Sequence, residues 1–169
     1  MLDKRLGAVK ILILDVDGVL TDGRIIINDH GEETKSFNVK DGFGISALLD
    51  AGIDVAVITG RQSLVVEHRA KDLGIRNVYQ GVKDKKAACV RLLEERRMTS
   101  DQACYMGDDL PDIPVLRYVG MPVAVADAVK EAREAALYIT EKNGGNGAVR
   151  EVCELILKAR DAWPAKQCS

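Results

Sequence analysis

The sequence predicts an α/β domain: a Rossmann-like parallel sheet with helices on both faces, no cap domain and a protruding β-hairpin. Short, dense apolar runs such as 9–14 and 53–58 alternate with segments of helical length, and this alternation is typical of a parallel sheet covered by helices. No internal repeat, low-complexity tract or linker interrupts the alternation. We therefore expect the 169 residues to form one domain, 1–169.

The first half of the chain supplies the hairpin and two of the core strands. The run 9–14 predicts a doubly buried strand. The isoleucine-rich run before the turn 28–31, with an antiparallel return over 33–37, predicts a hairpin over about 24–37. A helix follows over about 42–50, with Asp41 as its N-cap and Gly52 past its end. We then expect a strand over 53–58.

The second half continues the same pattern. Ser63 and Asp84 are candidate N-caps of helices that flank a short strand at 78–80. The remaining predicted elements are a strand over 102–106, a short helix after Pro111, a strand over 123–125, a helix over 129–136, an edge strand at 138–139 and a helix over 148–160. The segment 143–169 is treated as a C-terminal segment, and its glycine-rich part, 143–147, is either a loose hinge or a lid over a neighbour's site.

Composition and charge argue against several classes of protein. The net charge of −2, with 30% charged residues, gives no electrostatic footprint for nucleic acid or a membrane surface. The apolar run 9–14 is too short for a signal peptide or a membrane span, so we expect the cytoplasm. The four cysteines lack a zinc-type spacing and are expected to be free thiols in a reducing compartment.

Charged and hydroxyl side chains follow all four predicted core strands. In an open parallel sheet, ligands bind beyond the carboxyl ends of the strands, so these side chains are expected to share one site. In chain order they are Asp15 and Asp17, Thr59, Gly60 and Arg61, Lys85, and Asp108 and Asp109.

The carboxylates of this group predict a magnesium site. Carboxylates gathered at one sheet edge repel each other unless a cation lies among them, and hard oxygen ligands favour Mg²⁺ over Zn²⁺. Thr59, the adjacent amides and Lys85 suit the non-bridging oxygens of a phosphoryl group. One carboxylate can then act as nucleophile and a second as general acid and base, as in aspartyl-phosphate enzymes.

The motifs that carry these side chains resemble those of the haloacid dehalogenase superfamily of phosphatases. They are Asp15-Val-Asp-Gly-Val-Leu-Thr-Asp22, Ile58-Thr-Gly-Arg61, Lys85 and Gly107-Asp-Asp-Leu-Pro-Asp112, in the family's order. The resemblance implies that Asp15 is the nucleophile, that Asp17 is the general acid and base, and that Thr59 and Lys85 hold the phosphoryl group. It also implies Mg²⁺ bound by Asp15, the Asp17 backbone carbonyl and Asp108, with Asp109 or Asp112 steadying the water shell of the metal or Lys85.

The short connections between these motifs leave no room for a cap domain. The chain looks like the capless 3-deoxy-D-manno-octulosonate 8-phosphate phosphatases, through Phe37-Asn-Val-Lys-Asp-Gly-Phe-Gly44, Ile58-Thr-Gly-Arg-Gln-Ser63, Arg69 and Gly144-Gly-Asn-Gly-Ala-Val-Arg-Glu151. That resemblance implies a homotetramer built through the hairpins, in which neighbours close each other's sites. It implies substrate contacts, some across the interface, for Asn38, Val39, Lys40, Asp41, Gly42, Ser46, Gly60, Arg61 and Arg69.

Three other functions remain open at this point. A nine-carbon keto-sugar 9-phosphate is an alternative substrate, which no residue excludes. A phospho-receiver domain also combines aspartates, a threonine and a lysine, but its phosphorylated aspartate follows the third strand, where this chain has Gly81. The intact set of Asp15, Asp17, Thr59, Lys85 and Asp108 argues against a silent regulatory relative.

Overall fold

The central strand of the sheet is β1 (Ile11–Leu14), and all four of its side chains are fully buried. The computed structural model describes residues 2–163. Five further strands belong to the sheet: β4 (Asp54–Ile58), β5 (Asn77–Tyr79), β6 (Ala103–Gly107), β7 (Met121–Ala124) and β8 (Tyr138–Ile139). The six strands are parallel and lie in the order β5-β4-β1-β6-β7-β8. The predicted parallel sheet is therefore confirmed.

Helices cover the sheet in two groups, because each strand-to-strand connection crosses over through a helix. The helices α1 (Leu2–Ala8) and α2 (Val39–Asp50) both pack against α7 (Ala148–Lys158). The short helix α5 (Ile113–Leu116) contacts both α4 (Lys85–Glu95) and α6 (Lys130–Ala135). The remaining helical segments are α3 (Leu64–Asp72) and two 3-10 turns at Ser100–Gln102 and Leu110–Asp112.

Two helix starts differ from the sequence prediction. The helix α1 was not predicted at all. The helix α2 begins three residues earlier than expected, because Asn38 is its N-cap: the side-chain oxygen accepts a hydrogen bond of 2.8 Å from the Lys40 amide. Asp41, the predicted cap, lies inside the first turn and is buried. Asp84 does cap α4, by accepting a hydrogen bond of 2.9 Å from the Ala87 amide.

The hairpin consists of β2 (Ile26–Ile27) and β3 (Glu33–Thr34), which pair antiparallel and are shorter than predicted. Its turn is closed by the Asn28 side chain, which accepts hydrogen bonds of 3.0 Å from the backbone amides of His30 and Glu32. Three consecutive isoleucines at 25–27 are all exposed in the single chain. The hairpin therefore presents an apolar surface that its own domain does not cover.

The connections that could hold a cap domain contain none. Only the hairpin and α2 separate Asp15 from β4, and only α4 and a 3-10 turn separate Lys85 from β6. Within residues 2–163, no helix is both long and apolar enough to cross a membrane. Cys89, Cys104 and Cys153 are buried and free, whereas Cys168 and the rest of 164–169 lie outside the described residues.

Candidate active site

The carboxylate of Asp15 lies at the end of the central strand, in contact with a buried lysine. Its Oδ2 is 2.9 Å from Lys85 Nζ, and both side chains are more than nine-tenths buried. Lys85 starts α4, whereas Asp15 directly follows β1, so the contact joins two separate elements of the carboxyl edge. Asp15 and Lys85 therefore lie together at the carboxyl edge, as expected from their positions after the predicted strands.

Asp112 is fully buried, and both of its oxygens are used by neighbours. Its Oδ1 accepts hydrogen bonds from Lys85 Nζ at 2.7 Å and from the Tyr105 hydroxyl at 2.6 Å. Its Oδ2 accepts the backbone amides of Asp108 and Asp109 at 3.0 and 3.2 Å. Asp112 thus holds the turn that carries Asp108, while Asp109 is exposed and caps that turn by accepting from the Leu110 amide.

Asp108 completes a group of three carboxylates. Asp15, Asp108 and Asp112 each offer an oxygen, and these oxygens lie within 4.8 Å of one another. The backbone of Gly18 approaches the Asp108 carboxylate so closely that an added Cβ would lie 2.0 Å from Oδ2. Because the hydrogen bonds of Asp112 are already made, Asp15 and Asp108 are the side chains best placed to ligate a cation.

The electrostatics of this group fit a divalent cation. Burial, together with repulsion from Asp112, raises the pKa of Asp15 to about 6 in spite of Lys85. Burial and repulsion from Asp15, Asp112 and Asp109 raise the pKa of Asp108 to about 8. For Lys85, burial lowers the pKa, but the two neighbouring carboxylates outweigh it and the pKa is raised. A group of hard oxygens with too few protein cations is the donor set that Mg²⁺ takes.

The metal-free protein is expected to lose stability as the pH rises. Asp15 and Asp108 hold protons more tightly in the folded chain, since their ordinary pKa is 3.8. Their protonated forms therefore stabilise the fold below about pH 4, and that stabilisation is lost as the pH passes through about 6 and then 8. Melting temperatures in chelator at several pH values test this. Mg²⁺ should raise the melting temperature most at the alkaline end, and a flat profile in chelator would contradict the expectation.

Asp17 lies in a second ionic group, which the hairpin supplies. Lys35 Nζ is 2.5 Å from Asp17 Oδ1 and 3.2 Å from Glu33 Oε1, and its side chain is only 1% exposed. Arg61 Nη2 lies 2.7 Å from the same Glu33 oxygen, and its Nε lies 3.8 Å from Asp17 Oδ2. Two cations and two carboxylates thus fix the orientation of Asp17 and Arg61.

Thr59 and Gly60 form the turn after β4. Thr59 is buried, its amide donates to Tyr79 O at 2.9 Å, and its carbonyl accepts from the Val82 amide at 3.1 Å. Gly60 is exposed. This leaves the Thr59 hydroxyl and the following amides at the carboxyl edge of the sheet, beside the strand that ends in Asp15.

Comparison with known proteins assigns the chain to a family. A family model described as haloacid dehalogenase-like hydrolase matches residues 76–152. The 3-deoxy-D-manno-octulosonate 8-phosphate phosphatase KdsC of Yersinia pestis is 50% identical over 158 residues, which span 94% of this chain and 84% of the relative. This chain belongs to the 3-deoxy-D-manno-octulosonate 8-phosphate phosphatase family.

Solved structures of this phosphatase family share the whole fold. The enzyme of Moraxella catarrhalis, solved with a magnesium ion, a phosphate ion and a KDO molecule, has a TM-score of 0.95 at 46% identity, over 97% of this chain and 94% of that one. The cobalt-bound enzyme of Haemophilus influenzae has a TM-score of 0.92 at 40% identity, over 96% and 97%. The predicted family and the capless α/β fold are therefore both confirmed.

Among the substrate residues that the family resemblance implies, Gly42 and Arg69 lie together. An added Cβ on Gly42 would lie 2.5 Å from Arg69 Nη2, so the glycine makes room for the guanidinium. The central carbon of the Arg69 guanidinium, Cζ, lies 5.9 Å from the centre of the Phe37 ring, within range of a cation–π contact. Arg61, by contrast, lies with Asp17.

The other implied substrate residues are divided between different surroundings. Val39 and Lys40 are exposed on the first turn of α2. The buried Asp41 faces α7, where its Oδ1 accepts a hydrogen bond of 2.8 Å from the Arg150 amide. Asn38 donates to Gly145 O at 3.4 Å. Ser46 lines a groove near the amino ends of β4 and β5, the opposite end of the sheet from Asp15. Within one chain, therefore, Asp41 accepts a hydrogen bond from the first turn of α7, and Ser46 lies at the other end of the sheet from Asp15.

Sequence reasoning missed Glu33, Lys35 and Tyr105. Glu33 and Lys35 lie two residues apart on the returning arm of the hairpin, a spacing that places both side chains on one side of an extended chain. That spacing was the available signal, but it does not say which surface the hairpin covers. Tyr105 lies within an apolar run, and its hydroxyl gave no sign of a carboxylate partner.

Proposed function

We propose that this protein is a Mg²⁺-dependent phosphatase that hydrolyses 3-deoxy-D-manno-octulosonate 8-phosphate to the free sugar acid and phosphate. The observation that carries the proposal is the buried contact of Asp15 with Lys85, beside Asp108, at the carboxyl edge of the sheet. The names of relatives that are half identical support the same substrate. The reaction would serve lipopolysaccharide biosynthesis.

The chemistry follows from the two aspartates of the first motif. An oxygen of Asp15 attacks phosphorus, the bond from phosphorus to the sugar oxygen breaks, and Asp17 gives its proton to that oxygen. Water then attacks the phosphorus of the aspartyl-phosphate while Asp17 takes its proton, which releases phosphate and restores Asp15. Lys85 and Thr59 offset charge on the phosphoryl oxygens. Mg²⁺, held by Asp15, the Asp17 carbonyl and Asp108, would neutralise further charge on the phosphoryl group.

Two arginines are the proposed groups for the sugar acid. A guanidinium pairs well with a carboxylate, and Arg61 lies next to Asp17, whereas Arg69 lies against Gly42 at the start of α2. The exposed Val39 and Lys40 lie on that same turn, where they are accessible to a neighbouring subunit. Asn38 and Ser46 would contact the substrate of a neighbouring subunit, whereas the buried Asp41 would act on the substrate only indirectly, by holding α7 against α2.

The proposal is tested by phosphate release from a panel of sugar phosphates, with Mg²⁺ and with chelator. The panel contains the eight-carbon and nine-carbon keto-acid phosphates and hexose phosphates. Metal-dependent release that strongly favours the eight-carbon acid is the expected result. Preference for the nine-carbon acid would keep the mechanism and change the substrate, while no release from a folded, metal-binding protein would point to a phospho-receiver or regulatory role.

The hairpin is the proposed contact between subunits of a homotetramer. Its three exposed isoleucines form an apolar surface on both faces of a two-stranded ribbon, which is marginal on its own. Assembly would cover this surface. It would also help to hold Glu33, on β3 of the same hairpin, and Lys35, just after β3, over Asp17.

Ile26→Lys is expected to convert the assembly into smaller species, because it places a charge in the apolar contact. Light scattering of the purified protein measures this. Ile139→Lys is a matched control, since Ile139 is 46% exposed and Ile26 48% exposed, but Ile139 lies on the edge strand β8. A tetramer that survives Ile26→Lys would exclude this use of the hairpin.

A further inference from the structure

The glycine-rich loop 143–147 packs against the catalytic loop 16–22 of its own chain. The Gly145 amide donates a hydrogen bond of 2.9 Å to Val19 O. A Cβ added to Gly144 would lie 1.7 Å from Gly18 O, and one added to Gly145 would lie 2.5 Å from the Asp22 amide nitrogen. The two backbones therefore touch so closely that neither glycine of the pair tolerates a side chain. In the single chain the loop is therefore fixed against the catalytic loop, a contact that the sequence did not predict.

Gly18 is in close contact with both Gly144 and Asp108. Its carbonyl oxygen lies against Gly144, and a Cβ added to its α-carbon would lie 2.0 Å from Asp108 Oδ2. Its φ of +90° is also a conformation that favours glycine. Gly18 therefore links Gly144, which it meets through its carbonyl oxygen, to the Asp108 carboxylate, which it meets at its α-carbon.

The loop is fixed from behind by groups outside the active site. The Gly144 amide donates to Asp127 Oδ1 at 2.9 Å. The Glu151 carboxylate accepts the amides of Glu141 and Lys142 at 2.9 and 3.1 Å, which anchors the loop to α7. Because the loop is held at both ends, it resists displacement of Gly18 away from Asp108.

We propose that Gly144 and Gly145 are positioning residues, and that loop 143–147 is a rigid support that sets the distance between the catalytic loop and the magnesium ligand Asp108. The consequence for catalysis rests on the proposed phosphatase function, whereas the consequence for metal binding rests on the carboxylates alone. The loop acts through Gly18, the residue next to Asp17.

Gly144→Ala is expected to weaken Mg²⁺ binding by about 10- to 100-fold, as changes behind a metal ligand commonly do. The added methyl group overlaps Gly18 O, so Gly18 must move toward Asp108 or the loop must lift away. The measurement is the Mg²⁺ concentration that half-saturates the rise in melting temperature, in the absence of substrate. In turnover, kcat should fall by roughly 100-fold while KM changes little, because the catalytic loop is misplaced and the substrate arginines are not.

Two glycine variants control for backbone strain and for general destabilisation. Gly7→Ala adds a methyl group at ordinary contact distance, 3.5 Å from Ala159 O, in α1. Gly52→Ala is the control for Gly145→Ala. Both place an alanine at a positive φ, +77° and +69°, and so carry similar backbone strain, but the Cβ at position 52 meets nothing within 4 Å. Both controls should keep the Mg²⁺ dependence and kcat of the original protein, even if Gly52→Ala melts earlier.

A milder pair of variants covers the case in which Gly144→Ala does not fold. Asp127 is exposed, and Asp127→Ala removes the acceptor of the Gly144 amide without adding bulk. We expect a several-fold rise in the half-saturating Mg²⁺ concentration, of the kind expected for groups behind a ligand. Asp127→Asn keeps an acceptor oxygen and should restore the original value.

The outcomes separate this inference from the proposed function. If the unaltered protein binds Mg²⁺ but releases no phosphate, and Gly144→Ala or Asp127→Ala still weakens Mg²⁺ binding, the proposed function fails and the positioning role stands. If the unaltered protein is an active phosphatase and both variants keep its Mg²⁺ dependence and kcat, the positioning role is overturned. A lower melting temperature with unchanged Mg²⁺ dependence overturns it too.

Discussion

Asp15→Asn is expected to lower phosphate release by at least about a thousandfold, because it removes the proposed nucleophile of the covalent step. An amide oxygen is too weak a nucleophile to replace a carboxylate. Asparagine has almost the same shape, so substrate still fits and Lys85 still finds an oxygen acceptor. Phosphate release at saturating substrate and Mg²⁺ measures the effect directly.

Stability separates this result from simple unfolding. The raised pKa of Asp15 shows that its ionised form is unfavourable in the metal-free fold, through burial first and then repulsion from Asp112. In chelator near pH 8, Asp15→Asn should therefore melt no earlier than the original protein. Asp54→Asn is the matched control, since that aspartate pairs with Arg96 in an exposed salt bridge at the other end of the sheet. An active Asp15→Asn variant would exclude the aspartyl-phosphate route.

Lys85→Met is expected to abolish most activity and also to destabilise the protein. The lysine is the shared partner of Asp15 and Asp112, at 2.9 and 2.7 Å, and methionine leaves both buried carboxylates without it. Removing one partner of a buried ion pair costs about 3–5 kcal/mol. Loss of a positive group at the phosphoryl oxygens costs roughly 100- to 1000-fold in kcat.

The pH dependence of the loss identifies its cause. Without Lys85, Asp15 loses the neighbouring positive charge that lowers its pKa, so the stability lost at pH 8 should be partly regained on acidification toward pH 5. Lys83→Met, at an exposed lysine just before α4, should change neither stability nor activity. The double variant Lys85→Met with Asp15→Asn removes one of the stranded charges and should melt later than Lys85→Met alone. Equal melting temperatures for the two would contradict this electrostatic account.

The sequence was sufficient to predict that Asp15, Asp108 and Lys85 lie at one edge of the sheet. Each of them directly follows a buried strand or begins the next helix, and parallel strands end at one edge. The parallel arrangement predicts that these groups share one edge, and the structure places Asp15 Oδ2 2.9 Å from Lys85 Nζ at that edge. The predicted edge strand at 138–139 is present as β8.

Contacts that depend on tertiary packing were not predictable in the same way. Lys35 lies on a two-stranded ribbon, and whether a ribbon folds toward the site or toward solvent depends on surfaces distant in sequence. Asp41 was expected to cap its own helix, but Asn38 does so, and Asp41 instead accepts an amide near the start of α7. The loop 143–147 gave only a signal of flexibility, since glycine permits both a mobile segment and a close backbone contact.

The buried hydrogen bond between Tyr105 and Asp112 limits which substitutions these two positions can accept. A tyrosine in the middle of an otherwise apolar strand needs a hydrogen-bond partner for its buried hydroxyl, and this hydroxyl meets Asp112 at 2.6 Å. Phenylalanine at 105 would be tolerated only with a compensating change at 112 or in its other partners. The two positions are seven residues apart and lie before and at the end of the turn that carries Asp108. Among related chains, we therefore expect them to change together rather than singly.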